Sequence, residues 1–478
     1  MGAMKTPGVY VIEKSAFPNS VVEVATAVPA FVGYTEFALN GSKLLLNKPW
    51  RITSFAEFVL YFGSAPKPGF TFKPSDKEGY TISRNDAYSF FYNMRFFFSN
   101  GGGPCYIVSV GSYKDGLSQT ALVNGIVQLE KEQEPTMIVI PEAVALVYAD
   151  DCSVVQQKML QHCGIMQNRI AILDVFEGYK SRDDKNSDVV ASFRDKIGTE
   201  NLMYGASYYP WLNTAISNEN DIRFDNISGG LEDLKKMLII DAPRLKSDIE
   251  KIGEDLESKD ISEIHKVLNS HSKLYNSVIK QMQEQLNLLP PSAAMAGLYT
   301  MVDSTREVWK APANISLNAV VSPAVNISSA EQEDLNIPLD GKAINAIRNF
   351  IGEGVLVWGA RTLDGNSFDW RYINVRRTMI MLQESIKLVC KAYVFEPNTA
   401  NTWVVIRSTI SNFLTGIWKR GGLAGSKPED AFSVHVGLGD TMTTEDILEG
   451  IIRITVLVAV SRPAEFIEIT FQQQMQKS

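Results

Sequence analysis

The sequence closes on RPAEFIEITFQQQMQKS (Arg462–Ser478), and the partner this stretch takes decides how the chain is organised. After Phe466, the side chains of Ile467, Ile469 and Phe471 fall on one face at strand spacing, and Glu468, Thr470 and Gln472 fall on the other. That is the pattern of a half-buried strand, which needs a sheet to join. Two partners are open. A turn at Ser461-Arg462-Pro463 folds the segment back on the apolar run IIRITVLVAV (Ile451–Val460), itself expected as a buried strand, or the segment joins a sheet in a neighbouring copy. The other end has the same character: the short strand Val9, Tyr10, Val11, Ile12 of VYVIE is separated by KSAFPNS from a second strand-like run, VVEVATAVPAFVGYT. Strands carried on flexible or proline-broken connections invite pairing across copies, because an unpaired edge is a template for another chain.

At 478 residues the chain exceeds the size at which one hydrophobic core stops growing, so several domains are expected. With 45% hydrophobic and 21% charged residues it has the composition of an ordinary globular protein. A net charge of -8 argues against nucleic acid held by general electrostatics. The start, MGAMKTPGVYV, lacks the apolar core of a secretory signal. Ile451–Val460 is interrupted by Arg453 and falls far short of the roughly 20 residues of a spanning helix, so no membrane insertion is expected. Four cysteines, Cys105, Cys152, Cys163 and Cys390, show no framework spacing and suit a reducing compartment.

Along the chain, helical segments are expected near Ser54–Phe62 and Asp86–Ser99, followed by the strand CYIVSV. MIVIP and RIAILDV then alternate with helical stretches in a βαβ rhythm. Ile261, Ile264, Leu268, Tyr275, Ile279, Met282 and Leu286 recur at helical spacing, predicting a helical hairpin over 230–289 with its turn near Ser258 to Asp260. PPSAAMAGLYTMVDSTREVWKAPAN (from Pro290) reads as loop-rich, and the last third as the strand GVLVWGA, helices near Tyr372–Val394 and Thr399–Lys419, a strand, a short helix near Thr444 and the apolar strand.

Catalytic patterns fail on context. Asn100-Gly101-Gly102-Gly103-Pro104 lacks the Lys-Ser/Thr of a phosphate loop and precedes a strand, so it reads as a tight turn. The glycines of GEGVLVWGA flank a strand, unlike a dinucleotide fingerprint. His265 and His271 lie in the helical hairpin and His435 on a strand, and no nucleophile elbow or metalloprotease pair occurs. Cys152, His162 and Cys163 leave one metal-dependent alternative open, though without a second ligand cluster. No catalytic residue, metal ligand or cofactor is assigned.

Several stretches together resemble the tail sheath proteins of contractile phages and phage-tail-like injection systems. They are TPGVYVIE, TAVPAFVGYT, SNGGGPCYIVSV, YYPWL (from Tyr208), the Pro290 stretch, VWGARTL, WRYINVRRTMIMLQESI, VFEPN, FLTGIWKRGGLAG and the closing DILEGIIRITVLVAVSRPAEFIEITFQQQ. The resemblance is dense at both ends and sparse between Tyr34 and Leu289. It implies a multidomain mixed α/β (α+β) fold. The expected parts are an N-terminal arm, linker and first core strand (1–33), an inserted α/β region (34–110), variable outer domains with the hairpin (111–289), a loop-rich return (290–338), a C-terminal sheath core domain (339–461) and a C-terminal arm strand (462–478). One chain carrying both arms is similar to phage, pyocin and extracellular injection sheaths and unlike type VI secretion sheaths, which divide these parts over two chains.

The resemblance further implies a structural subunit rather than an enzyme, polymerising as stacked hexameric rings around an inner tube. Val9–Ile12 and Phe466, Ile467, Ile469 and Phe471 would add strands to neighbouring copies. The implied partners are the chain itself, the tube protein, and baseplate and terminator or cap proteins. No nucleic acid or membrane is among them, and assembly is expected in the bacterial cytoplasm, in a particle that injection systems release outside the cell. A static, non-contracting tube or shell protein is the alternative. Lys419 and Arg420 end the helix before Gly421, where cations suit a helix C-terminus; the resemblance also places this helix at the lumen, with its positive end against an acidic tube.

Overall fold

The computed structural model describes residues 21–75, 79–182, 188–218, 221–254 and 257–469. Val9, Tyr10, Val11, Ile12 and Phe471 lie outside the described residues. The chain divides into a larger unit, 25–377 with 462–478, and a smaller one, 1–24 with 378–461.

The larger unit is built on a sheet with nine strands among the described residues. Their order is Ile315–Ser316, Gly354–Trp358, Asn345–Phe350, Gly205–Tyr209, Ile170–Asp174, Met137–Val139, Pro29–Thr35, Cys105–Ser112 and Trp50–Ile52. From Asn345–Phe350 to Cys105–Ser112 every neighbouring pair is parallel, and the flanking strands run antiparallel. Such strands read as unbroken apolar runs because both faces are covered, and PAFVGYT and IAILD are buried along their whole length. Successive residues take opposite faces. Phe31 meets Phe97 of helix Phe90–Ser99 at 4.9 Å, while Val32 faces Gly125 of helix Gln119–Gln128.

Pro290–Asn314 departs from the expected loop. Ser292–Arg306 is a helix, buried at every position from Ser292 to Tyr299. Small residues on all sides leave no amphipathic period to detect. They have a packing use: a Cβ on Gly297 would sit 2.5 Å from the Phe97 carbonyl oxygen, so only glycine lets this helix approach Phe90–Ser99. NGGGP is a turn, with Gly101 at φ +88.

Within the same unit, strands Phe70–Ser75, Gly79–Arg84 and Ile227–Gly229 form a small sheet. Helix Lys273–Leu286 lies against it, Gln285 Nε2 donating to the Ile82 carbonyl at 2.8 Å. The expected hairpin turn is displaced. Ser258 opens a helix that runs to His271, and the break falls at Ser272, whose hydroxyl accepts from the Tyr275 amide at 3.0 Å. Leu268 and Tyr275 are about two helical turns apart, so the apolar spacing passes through the break unchanged.

The smaller unit contains most of helix Ile373–Lys391, helix Ala400–Lys419, short helices Pro428–Ala431 and Thr444–Leu448, and strands Phe432–His435 and Thr455–Val458. Ile406, Ile410, Phe413, Leu414 and Ile417 bury one face of Ala400–Lys419. Ile451–Val460 is not the buried strand expected. Thr455–Val458 alternates exposed and half-buried residues, with Leu457 59% exposed. The run's apolar composition predicts burial, but among the described residues it lies on a ribbon of two strands that leaves every second side chain exposed.

Candidate assembly surface

Phe432–His435 and Thr455–Val458 pair antiparallel, from Phe432 with Val458 to His435 with Thr455. Each strand has one named strand partner among the described residues, so each keeps an open edge. Only beyond the ribbon, at Val460, does Leu423 bridge on. Two-stranded ribbons are marginal in water and gain from further strands.

Within the closing segment, the described residues 462–469 carry no strand. Phe466, Ile467 and Ile469 are 70%, 79% and 69% exposed. Just before them, Glu465 is held firmly in the larger unit. The Arg361 guanidinium grips its carboxylate, Nη2 donating to Oε2 at 2.6 Å and Nε to Oε1 at 3.0 Å. Asn336 Nδ2 and the Tyr372 hydroxyl add bonds of 2.8 and 3.1 Å. Burial pushes the Glu465 carboxyl up, but the hydrogen bonds from Arg361, Asn336 and Tyr372 outweigh it and hold the group below its ordinary value. A lowered carboxylate contributes stability that is present above the unfolded value, near 4.3, and is lost as pH falls through the folded one. The Arg361–Glu465 pair will therefore hold at pH 5 and loosen as pH falls below the ordinary carboxylate value, near 4.3, so the Arg361 amide, which donates to Asn345 Oδ1, loses protection on acidification. Hydrogen exchange with mass spectrometry reads this directly, and equal protection at both pH values would refute it.

The helix end at Lys419 and Arg420 stops at Gly421, φ +89, as a glycine stop requires. Its two cations differ. Arg420 pairs with Glu23 in the N-terminal linker, and Lys419 is exposed. Val24 in the same linker donates its amide to Ser385 Oγ at 3.2 Å.

Cys152, His162 and Cys163 share helix Ala149–Met166, where the two cysteines are roughly 16 Å apart along the axis, too far to hold one ion. His162 lies 3.2 Å from Arg169 Nη1, and burial, with that charge, pushes it down to about 4. Burial pushes the Cys163 thiol up to about 12. Among the described residues no group of three His, Cys, Asp or Glu side chains is placed to hold a metal. No helix among them is long and apolar enough to cross a membrane.

Residues 366–474 match the phage tail sheath C-terminal domain. Over nearly its whole length the chain is also similar to the PVC sheath complex of an extracellular contractile injection system in its contracted state, with 27% identity, 99% of each chain covered and a TM-score of 0.64. The chain resembles the tail sheath proteins. This is a structural family and not an enzyme family. The chain is likewise similar to a chain of the anti-feeding prophage baseplate, 6-fold symmetrised: 27% identity, TM-score 0.63, covering 99% of this chain and 100% of that one. The tail sheath protein of Vibrio phage KVP40 is 28% identical over 138 residues, 28% of this chain but only 20% of the phage protein's length.

Proposed function

We propose that the chain is the structural subunit of a contractile sheath. Copies form hexameric rings stacked helically around an inner tube, assembled in the bacterial cytoplasm between baseplate and cap proteins, and contraction drives the tube through a target envelope. The observation that carries this reading is the likeness, along the full chain, to a sheath in its contracted state. The open edges of the Phe432–His435 ribbon and the exposed Phe466, Ile467 and Ile469 support it, as donors and acceptors of strands between copies. So does the 6-fold baseplate relative. Regions 1–33 and 462–478 act as arms, and energy stored at assembly drives the change, with no nucleotide consumed in firing.

The test is negative-stain microscopy of the chain co-expressed with its tube protein. Cylinders of two widths are expected; a single width under all conditions would leave the static reading. Lys419, free of the Glu23 pair, is the cation offered to an acidic tube. K419E should lower sheath yield about ten-fold, the effect of losing one strong charge pair. Unchanged yield would leave Lys419 only its role at the helix end.

A further inference from the structure

We propose that Arg361 and Arg377 are the anchors through which tension carried by the arms and the smaller unit enters the larger unit. The inference rests on the sheath reading. The chain passes between the units at 24/25, 377/378 and 461/462. On the larger-unit side, each crossing lies beside an arginine–carboxylate pair whose arginine is buried.

At the first two crossings the pair is Arg377 with Asp303, whose side chains are 3% and 5% exposed. Arg377 Nη1 and Nη2 donate to Asp303 Oδ1 and Oδ2 at 2.9 and 2.6 Å, and Nη2 also donates to the Thr26 carbonyl at 3.0 Å. The Thr26 hydroxyl closes the loop onto Asp303 Oδ2 at 2.5 Å. One guanidinium thus fixes the chain beside two crossings, both on the larger-unit side. Arg377 lies 4.8 Å from the centre of the Tyr299 ring, and the Tyr299 and Tyr208 hydroxyls share a 2.6 Å hydrogen bond, with Tyr208 inside the large sheet.

At the third crossing the pair is Arg361 with Glu465. The Arg361 backbone is itself clasped by Asn345 of strand Asn345–Phe350: its amide donates to Asn345 Oδ1 at 2.7 Å, and Asn345 Nδ2 donates to its carbonyl at 2.8 Å. Both anchors therefore lead to strands of the same sheet. Neither belongs to the sheet's own ladder, and both sit where the chain leaves the unit. A planar fork on a carboxylate fixes direction as well as distance, which a point charge does not.

The test uses the full chain with its tube. E465Q keeps the side chain's length and removes its charge, R377K keeps the charge and removes the fork, and a chain ending at Glu465 keeps the anchor and lacks the arm. E465Q and R377K should melt at lower temperature than wild type, yet still fold with unchanged circular dichroism at 25 °C and assemble in wild-type yield. After contraction forced by mild urea, intact full-length sheaths should fall about ten-fold, as expected when a charged hydrogen bond is lost. Should either variant fail to fold, Y372F and T26V each remove one neutral donor from the respective carboxylate and should give the same breakage at a lower level. Variant sheaths that contract without breaking, or folded variants that cannot assemble, overturn the inference. If the chain ending at Glu465 assembles normally, the arm reading falls instead.

Discussion

A chain ending at Glu465 will fold and stay soluble, yet build no sheath. Phe466, Ile467 and Ile469 are largely exposed and lie in no strand among the described residues. Covering each in a neighbour's sheet contributes about 1.5–3 kcal/mol. Each backbone bond added contributes about 0.5–1.5 kcal/mol. At about 1.4 kcal/mol per ten-fold, removing the three side chains alone weakens each joint by about a thousand-fold or more, and every copy in a lattice repeats the loss. The cut belongs after Glu465 rather than Arg462, because the shorter chain would leave the Arg361 guanidinium buried without its carboxylate, a separate and large destabilisation. Sedimentation and microscopy of the truncated chain with its tube decide the matter. Long cylinders at wild-type yield would show that the segment joins nothing.

Glu142→Ala should lower the stability of the larger unit by about 3 kcal/mol or more, since each buried N–H left without an acceptor costs about 1–3 kcal/mol. Glu142 is fully buried and accepts from the backbone amides of Tyr34, Ser89 and Phe90 at 2.8, 3.0 and 3.1 Å. The last two open helix Phe90–Ser99, whose N-cap Ser89 makes no side-chain cap of its own. A carboxylate from elsewhere in the chain thus caps the helix and ties it to strand Pro29–Thr35. Asp174 does the same for helix Ser292–Arg306, accepting from the Ser292 amide and hydroxyl at 2.8 and 2.5 Å. Burial pushes Glu142 up to about 7 against the pull of its three amide donors. The folded value lies above the unfolded one, so its contribution is fully present below about 4.3 and declines as pH rises toward 7. The gap between wild type and E142A should therefore narrow over that range. Urea unfolding at several pH values measures it, and a constant gap or a loss under about 1 kcal/mol would refute the capping role.

Elements with a strong local period were legible from sequence. Phe55–Phe62, Phe90–Ser99, Cys105–Ser112 and Ala400–Lys419 follow the expected segments closely. Reading failed where burial erased the period, at Ser292–Arg306, and where a regular apolar spacing ran across a capped break, at Ser272. At the assembly surface, the alternation of Ile467, Ile469 and Phe471 with Glu468, Thr470 and Gln472 was visible, but Arg361 and Glu465 stood out only as one charged residue each.

The sequence by itself determined the apolar alternation at the C-terminal end, the absence of a composed catalytic motif and the likeness to tail sheath proteins, because these depend on neighbours along the chain. Only the tertiary structure decided that residues 462–469 carry no strand among the described residues, and that an arginine grips a glutamate 104 residues away at the point where that segment leaves. Pairing over that distance is fixed by how the sheet brings Arg361 and Glu465 together, a relation no local pattern records.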